Sequence, residues 1–145
     1  MHSLPASYVI SDDPTRLDLD VIHGFLAQSY WAKSIPQELV ARTIQNSMVW
    51  GVYTAQGQVG YARIVTDKAT FAYLCDVFVL PEHRGKGLSK ALVATIKAHP
   101  DLQGLRRWML VTADMQPLYA QFGFEPVKTP ERHMEIHRPG IYESG

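Results

Sequence analysis

Between Phe71 and Lys90 the sequence changes character twice, and this passage limits the fold more than any other. Phe71 to Leu80 is the longest apolar run, broken by Asp76, and is expected to be a central strand covered on both faces. Pro81 to Gly87 is a loop rich in glycine and cations. Leu88, Ala91, Leu92, Thr95 and Ile96 then share one helical face, and Pro100 ends that helix. The first turn of a helix carries N–H groups without internal partners and a partial positive charge. Gly85 and Gly87 keep side chains away from those groups, while Arg84 and Lys86 add formal charge. This is the physical recipe for a pyrophosphate cradle; the plainer alternative is a solvated turn. The spacing is not that of a P-loop, and the third glycine and first strand–helix–strand unit of a dinucleotide fold are absent.

The remaining punctuation divides the chain into short elements. Tyr8 to Ile10 is a brief strand candidate. Leu19, Ile22, Phe25 and Leu26 have helical spacing behind Asp18, a suitable N-cap, and Leu39, Val40, Thr43 and Ile44 form the stripe of a second helix opened by Pro36. Met48 to Tyr53 and Val59 to Val65 are strands around a turn at Gly57. Trp108 to Val111 is a strand, and Pro117 to Phe122 a short helix that Asp114 is placed to cap. Two more strands are expected near Phe124-Glu125 and Met134 to Ile136. The sum is a mixed α/β (α+β) sheet of six to seven strands flanked by about four helices, in one domain over residues 1–145.

Lys+Arg and Asp+Glu number 14 each, so the chain lacks the net basic charge of a general nucleic-acid or membrane-surface binder. Cys75 is the only cysteine, which excludes an internal disulfide and a multi-cysteine metal site, and makes a reducing cytoplasm the expected compartment. The six histidines show no metal-ligand spacing. Met1 to Pro5 has neither the cationic start nor the apolar run of a signal peptide, and no stretch is long enough to span a bilayer.

Arg84-Gly85-Lys86-Gly87-Leu88-Ser89 resembles the acyl-CoA pyrophosphate loop of the GNAT superfamily of N-acetyltransferases, whose pattern is Gln/Arg-x-x-Gly-x-Gly/Ala. Ser89 departs from the last position, yet it is small and its hydroxyl can bond a phosphate oxygen. A second family signature is matched downstream by Leu118-Tyr119-Ala120-Gln121-Phe122-Gly123-Phe124. Together with the order of elements, the resemblance spans nearly the whole chain. It implies acetyl-CoA as cosubstrate and transfer of its acetyl group to a primary amine, by direct attack in a ternary complex. A non-catalytic acyl-CoA sensor on the same scaffold is the alternative.

The resemblance also implies roles for particular residues. Arg84, Gly85, Lys86, Gly87, Leu88 and Ser89 would hold the pyrophosphate. Val77, Phe78 and Val79 would present backbone groups to the pantetheine arm and the thioester carbonyl. Tyr119 would donate a proton to the departing thiolate. Asp76, a carboxylate inside an apolar strand, must find partners or change its pKa; base, amine ligand, or anchor of a bulge or of Arg63 are all open to it. Arg63 could instead meet an anionic substrate. Tyr30 and Trp31 fall where the family builds the acceptor wall, or are simply core. The acceptor is a small molecule or peptide. A homodimer is open to such a chain, with the tail Arg138 to Gly145 available to it.

Overall fold

The computed structural model describes residues 4–143; Met1 to Ser3 and the last two residues of the tail lie outside the described residues. Five strands form one sheet in chain order: β1 (Val9–Ser11), β2 (Met48–Thr54), β3 (Gly57–Thr66), β4 (Phe71–Val79) and β5 (Arg107–Leu110). The first four are antiparallel, and β5 joins β4 in parallel. Four helices complete the fold: α1 (Leu19–Leu26), α2 (Gln37–Gln45), α3 (Leu88–Lys97) and α4 (Gln116–Ala120). The parallel β4–β5 pair needs a crossover, and α3 supplies it.

The sheet is covered on both faces. Trp50, Ala62, Ile64, Ala72 and Leu74 pack beneath Leu88, Leu92 and Ile96 of α3. On the opposite face Val49, Tyr61 and Phe78 meet Ile22 and Leu26 of α1 and Val40 of α2. Each such fully buried aliphatic side chain is worth about 2 kcal/mol relative to exposure. Asp18 caps α1 as expected, its Oδ1 accepting from the N–H groups of Asp20 and Val21. Buried Gln58 ties that cap to the sheet: its Oε1 accepts from the Asp18 N–H at 2.7 Å, and its Nε2 donates to the Gly60 carbonyl at 2.9 Å.

Within β4 the side-chain alternation breaks once. Tyr61 pairs with Phe78 and Arg63 with Cys75, so Asp76 and Val77 together face Ala62 in a β-bulge. Asp76 sits there at φ +55°, a left-handed conformation uncommon outside glycine and best tolerated by Asp and Asn. The extra residue inverts the parity of the strand: Leu74 and Val79 belong to the same core, five positions apart, and Phe78 points to the other.

Two expectations are corrected. The sheet has five strands among the described residues, not six to seven: neither Phe124-Glu125 nor Met134 to Ile136 pairs with a strand. Pro126 removes a ladder donor right after Glu125, and Pro130–Arg132 coils into a 3₁₀ turn. Met134 and Ile136 are left 97% and 90% exposed. Nor does Asp114 cap α4. Met115 is the cap residue, and its N–H donates to Thr112 Oγ1 at 3.1 Å. Among the described residues no helix is long and apolar enough to cross a membrane.

Candidate active site

β5 pairs only with Phe71 to Leu74 of β4, ending at the Leu74–Leu110 register. Beyond it β4 continues through the bulge to Val79 without a partner on that side, while β3 still pairs on the other. The two parallel strands thus open into a cleft whose β4 wall, Val77 to Val79, has no ladder partner on the β5 side. A slim chain bearing amides could complete that ladder.

The cleft leads to the glycine loop. Tyr8 Oη and His83 Nδ1 are 2.8 Å apart, which ties the loop to the approach of β1. Arg84 folds back, and its Nε donates to the Val79 carbonyl at 2.9 Å. Gly85 and Gly87 take φ values of +78° and +77°, and a Cβ on either would meet nothing within 4 Å. Glycine is therefore required here for backbone conformation, while the space beside it is open. Gly87 is the N-cap of α3 and provides no side-chain cap. The N–H groups of the first helical turn, from Leu88 on, remain available to an anion. Lys86 is exposed; Leu88 is buried in the core, so it can contribute only its main-chain N–H. These features fit the pyrophosphate and amide arm of a CoA thioester.

At the base of the cleft lies a cavity of about 600 Å³. It brings together Tyr119, Asp76, Val77, Arg63, Tyr30 and Trp31, six of the residues singled out from sequence. Phe78 and Val79 are buried and line the core rather than this cavity. Tyr119 is 8% exposed, and its hydroxyl has no hydrogen-bond partner among the described residues. Burial, then the neighbouring Tyr30, pushes its pKa up to about 12. The phenol therefore keeps its proton across any ordinary working pH.

Asp76 is fully engaged. Its Oδ2 accepts from Arg63 Nε at 2.8 Å and its Oδ1 from the Trp31 indole N–H at 2.8 Å. Arg63 also donates to Ser47 Oγ at 3.1 Å. Burial alone would lower the arginine's pKa, but the Asp76 carboxylate outweighs that and holds it above its ordinary value. Of the roles open to Asp76, the geometry favours the anchor: it pins the bulge, Arg63 and Trp31 to one another. With side chains only 9% and 17% exposed, this pair is costly to break from one side. Asp76→Ala should lower unfolding free energy by about 3–5 kcal/mol by leaving Arg63 uncompensated. Asp76→Asn, which tolerates the positive φ and can still accept from Trp31, should lose less. Urea denaturation of both variants checks this; a loss below about 1 kcal/mol for the alanine variant would remove the anchor role.

Cys75 also lines the cavity, but burial pushes its thiol up to about 12, so it stays protonated and unreactive. The lining also includes Tyr73, Glu135, His137 and Tyr142, to which the sequence assigned no site role. Tyr73 shares its strand face with Cys75, a signal the alternation carried. Met134 to His137 are all exposed, and nothing local says that this segment borders the cavity.

A sheet split between parallel strands above a glycine-bearing helix start defines a GNAT-type acetyltransferase fold. The chain belongs to that family: the model of the acetyltransferase (GNAT) domain matches residues 45–126. It is similar to a candidate acetyltransferase of Gibberella zeae, 31% identical over 137 residues, covering 79% of this chain and 76% of that protein. Among solved structures it resembles a candidate GNAT acetyltransferase from Xanthomonas campestris pv. campestris, with TM-score 0.94 and 50% identity, over 98% of this chain and 100% of that one. A candidate acetyltransferase from Clostridium acetobutylicum, solved with acetyl-CoA, shares the fold at TM-score 0.64 and 13% identity, over 90% and 94% of the two chains.

Proposed function

We propose that this protein moves an acetyl group from acetyl-CoA to the nitrogen of a primary amine, without a covalent enzyme intermediate. The observation that carries this reading is Tyr119, a largely buried residue whose hydroxyl keeps its proton, has no partner among the described residues and opens into the cavity at the foot of the β4–β5 cleft. Bound acetyl-CoA supplies an activated acyl group as a thioester. Main-chain groups of Val77 to Val79 orient its amide arm, and Arg84, Lys86 and the N–H groups from Gly85 to Ser89 hold its pyrophosphate. Tyr119 holds a proton at Oη and releases it to the departing thiolate, recovering one from the amine that has attacked. Tyr30 and Trp31 wall the acceptor side; the Tyr30 hydroxyl accepts from the Ala113 N–H at 3.1 Å, which fixes that ring across the cavity. Arg63 is occupied by Asp76 and Ser47, so we assign it to the scaffold of the wall rather than to an anionic substrate. The lone, protonated Cys75 suits a reducing cytoplasm.

The test is calorimetric titration with acetyl-CoA, followed by free-thiol release with a panel of amines. Binding followed by acceptor-dependent thiol release supports the reading. Binding without release for any amine would instead make this an acyl-CoA sensor, and no binding would remove both.

A further inference from the structure

Acetyl transfer as proposed leaves the acceptor's charge open, yet the cavity walls carry information about it. Five aromatic side chains line it: Tyr30, Trp31, Tyr73, Tyr119 and Tyr142. Its charged groups do not balance. Arg63 and Asp76 cancel one another at 2.8 Å. Asp114 and Glu135 line the same cavity, and neither enters an ion pair among the described residues. Both are exposed carboxylates at the cavity's rim, beside its aromatic faces. The Tyr119 hydroxyl, without a partner among the described residues, opens onto the same space. Aromatic faces and carboxylates both attract a cation. An acceptor bearing a carboxylate or phosphate would meet two like charges, and the one arginine in the wall is already taken.

We propose that the acceptor is a small aliphatic amine carrying a second, protonated nitrogen, a diamine in the simplest case. This rests on the acetyl-transfer reading. One nitrogen, neutral, forms the new N–C bond as the thioester C–S bond breaks, and the proton it loses matches the one the sulfur gains. The other nitrogen remains an ammonium held by Asp114, Glu135 and the ring faces.

The experiment uses the intact chain and three four-carbon probes: putrescine, butylamine and γ-aminobutyrate. Thiol release is followed with saturating acetyl-CoA, and binding of each probe to the chain with CoA is measured by calorimetry. We expect kcat/KM for putrescine to exceed that of either other probe by about tenfold or more. Glu135→Gln and Asp114→Asn should each narrow the putrescine-to-butylamine ratio toward one. Equal rates for putrescine and butylamine, a preference for γ-aminobutyrate, or an unchanged ratio in both variants would overturn the inference. If no probe is acetylated, binding decides. Preferential binding of putrescine keeps the acceptor-site charge assignment and removes the transfer reading; equal binding overturns both.

Discussion

Replacing Tyr119 with Phe should lower kcat by about a hundredfold to a thousandfold, the range for losing a positioned proton donor, and leave acetyl-CoA affinity nearly unchanged. The change removes one oxygen from a ring that otherwise packs against Phe124, with ring centroids 6.0 Å apart. Because that hydroxyl has no partner among the described residues, its removal leaves none of their polar groups unsatisfied, and the fold should not suffer. Stopped assays and calorimetry on one preparation separate the two quantities. Equal loss of rate and affinity, or no loss of rate, would take the acid role from Tyr119. The pH profile offers a second reading of the same group. Its raised pKa, about 12, keeps the acid form well above the pH at which a free tyrosine begins to ionise. The rate should rise with pH as the acceptor amine deprotonates, without the downturn near pH 10 that an unshifted phenol would impose. That downturn, if seen, would mean the acid is another group.

Gly87→Glu should abolish acetyl-CoA binding. Gly87 caps α3 at φ +77°, and the space beyond its Cα is empty within 4 Å. Any other residue there carries a strain of about 1–2 kcal/mol, which the fold can absorb because nothing is struck. A glutamate adds a carboxylate at the helix start, where the pyrophosphate would lie, and replaces attraction by repulsion. Gly87→Ala separates the contributions: it carries the strain without the charge and should weaken binding only severalfold. Circular dichroism establishes that both variants fold, and calorimetry reads the affinity. Retained affinity in the glutamate variant would show that the loop does not hold the pyrophosphate.

Much of the frame was legible because its signals are local. The strand, loop and helix from Phe71 to Lys97 follow from an apolar run, two glycines and a 3.6-residue stripe. The cap at Asp18 and the hairpin at Gly57 were readable on the same terms. What the sequence could not show depends on distance or on backbone detail. Asp76 announced itself as a carboxylate in an apolar strand, but its φ of +55° and its bonds to Arg63 and Trp31 are products of tertiary pairing. The five-strand sheet follows from Pro126 and Pro130, which interrupt an alternating pattern that otherwise looks like strand. Glu135 and His137 reach the cavity only because the chain after α4 returns across it, a path no periodicity encodes.

β5 is an edge strand, joined to the sheet through four residue pairs with β4, whereas β3 and β4 stay paired along most of their length. The two sides of the cleft are thus unequal in mechanical terms. One is the stiff middle of the sheet, clamped by helices above and below. The other is a short strip whose release disrupts few hydrogen bonds. Widening to admit a bulky thioester would be taken up almost wholly by the β5 side, while the bulge, Asp76 and the glycine loop stay in register as a fixed reference surface.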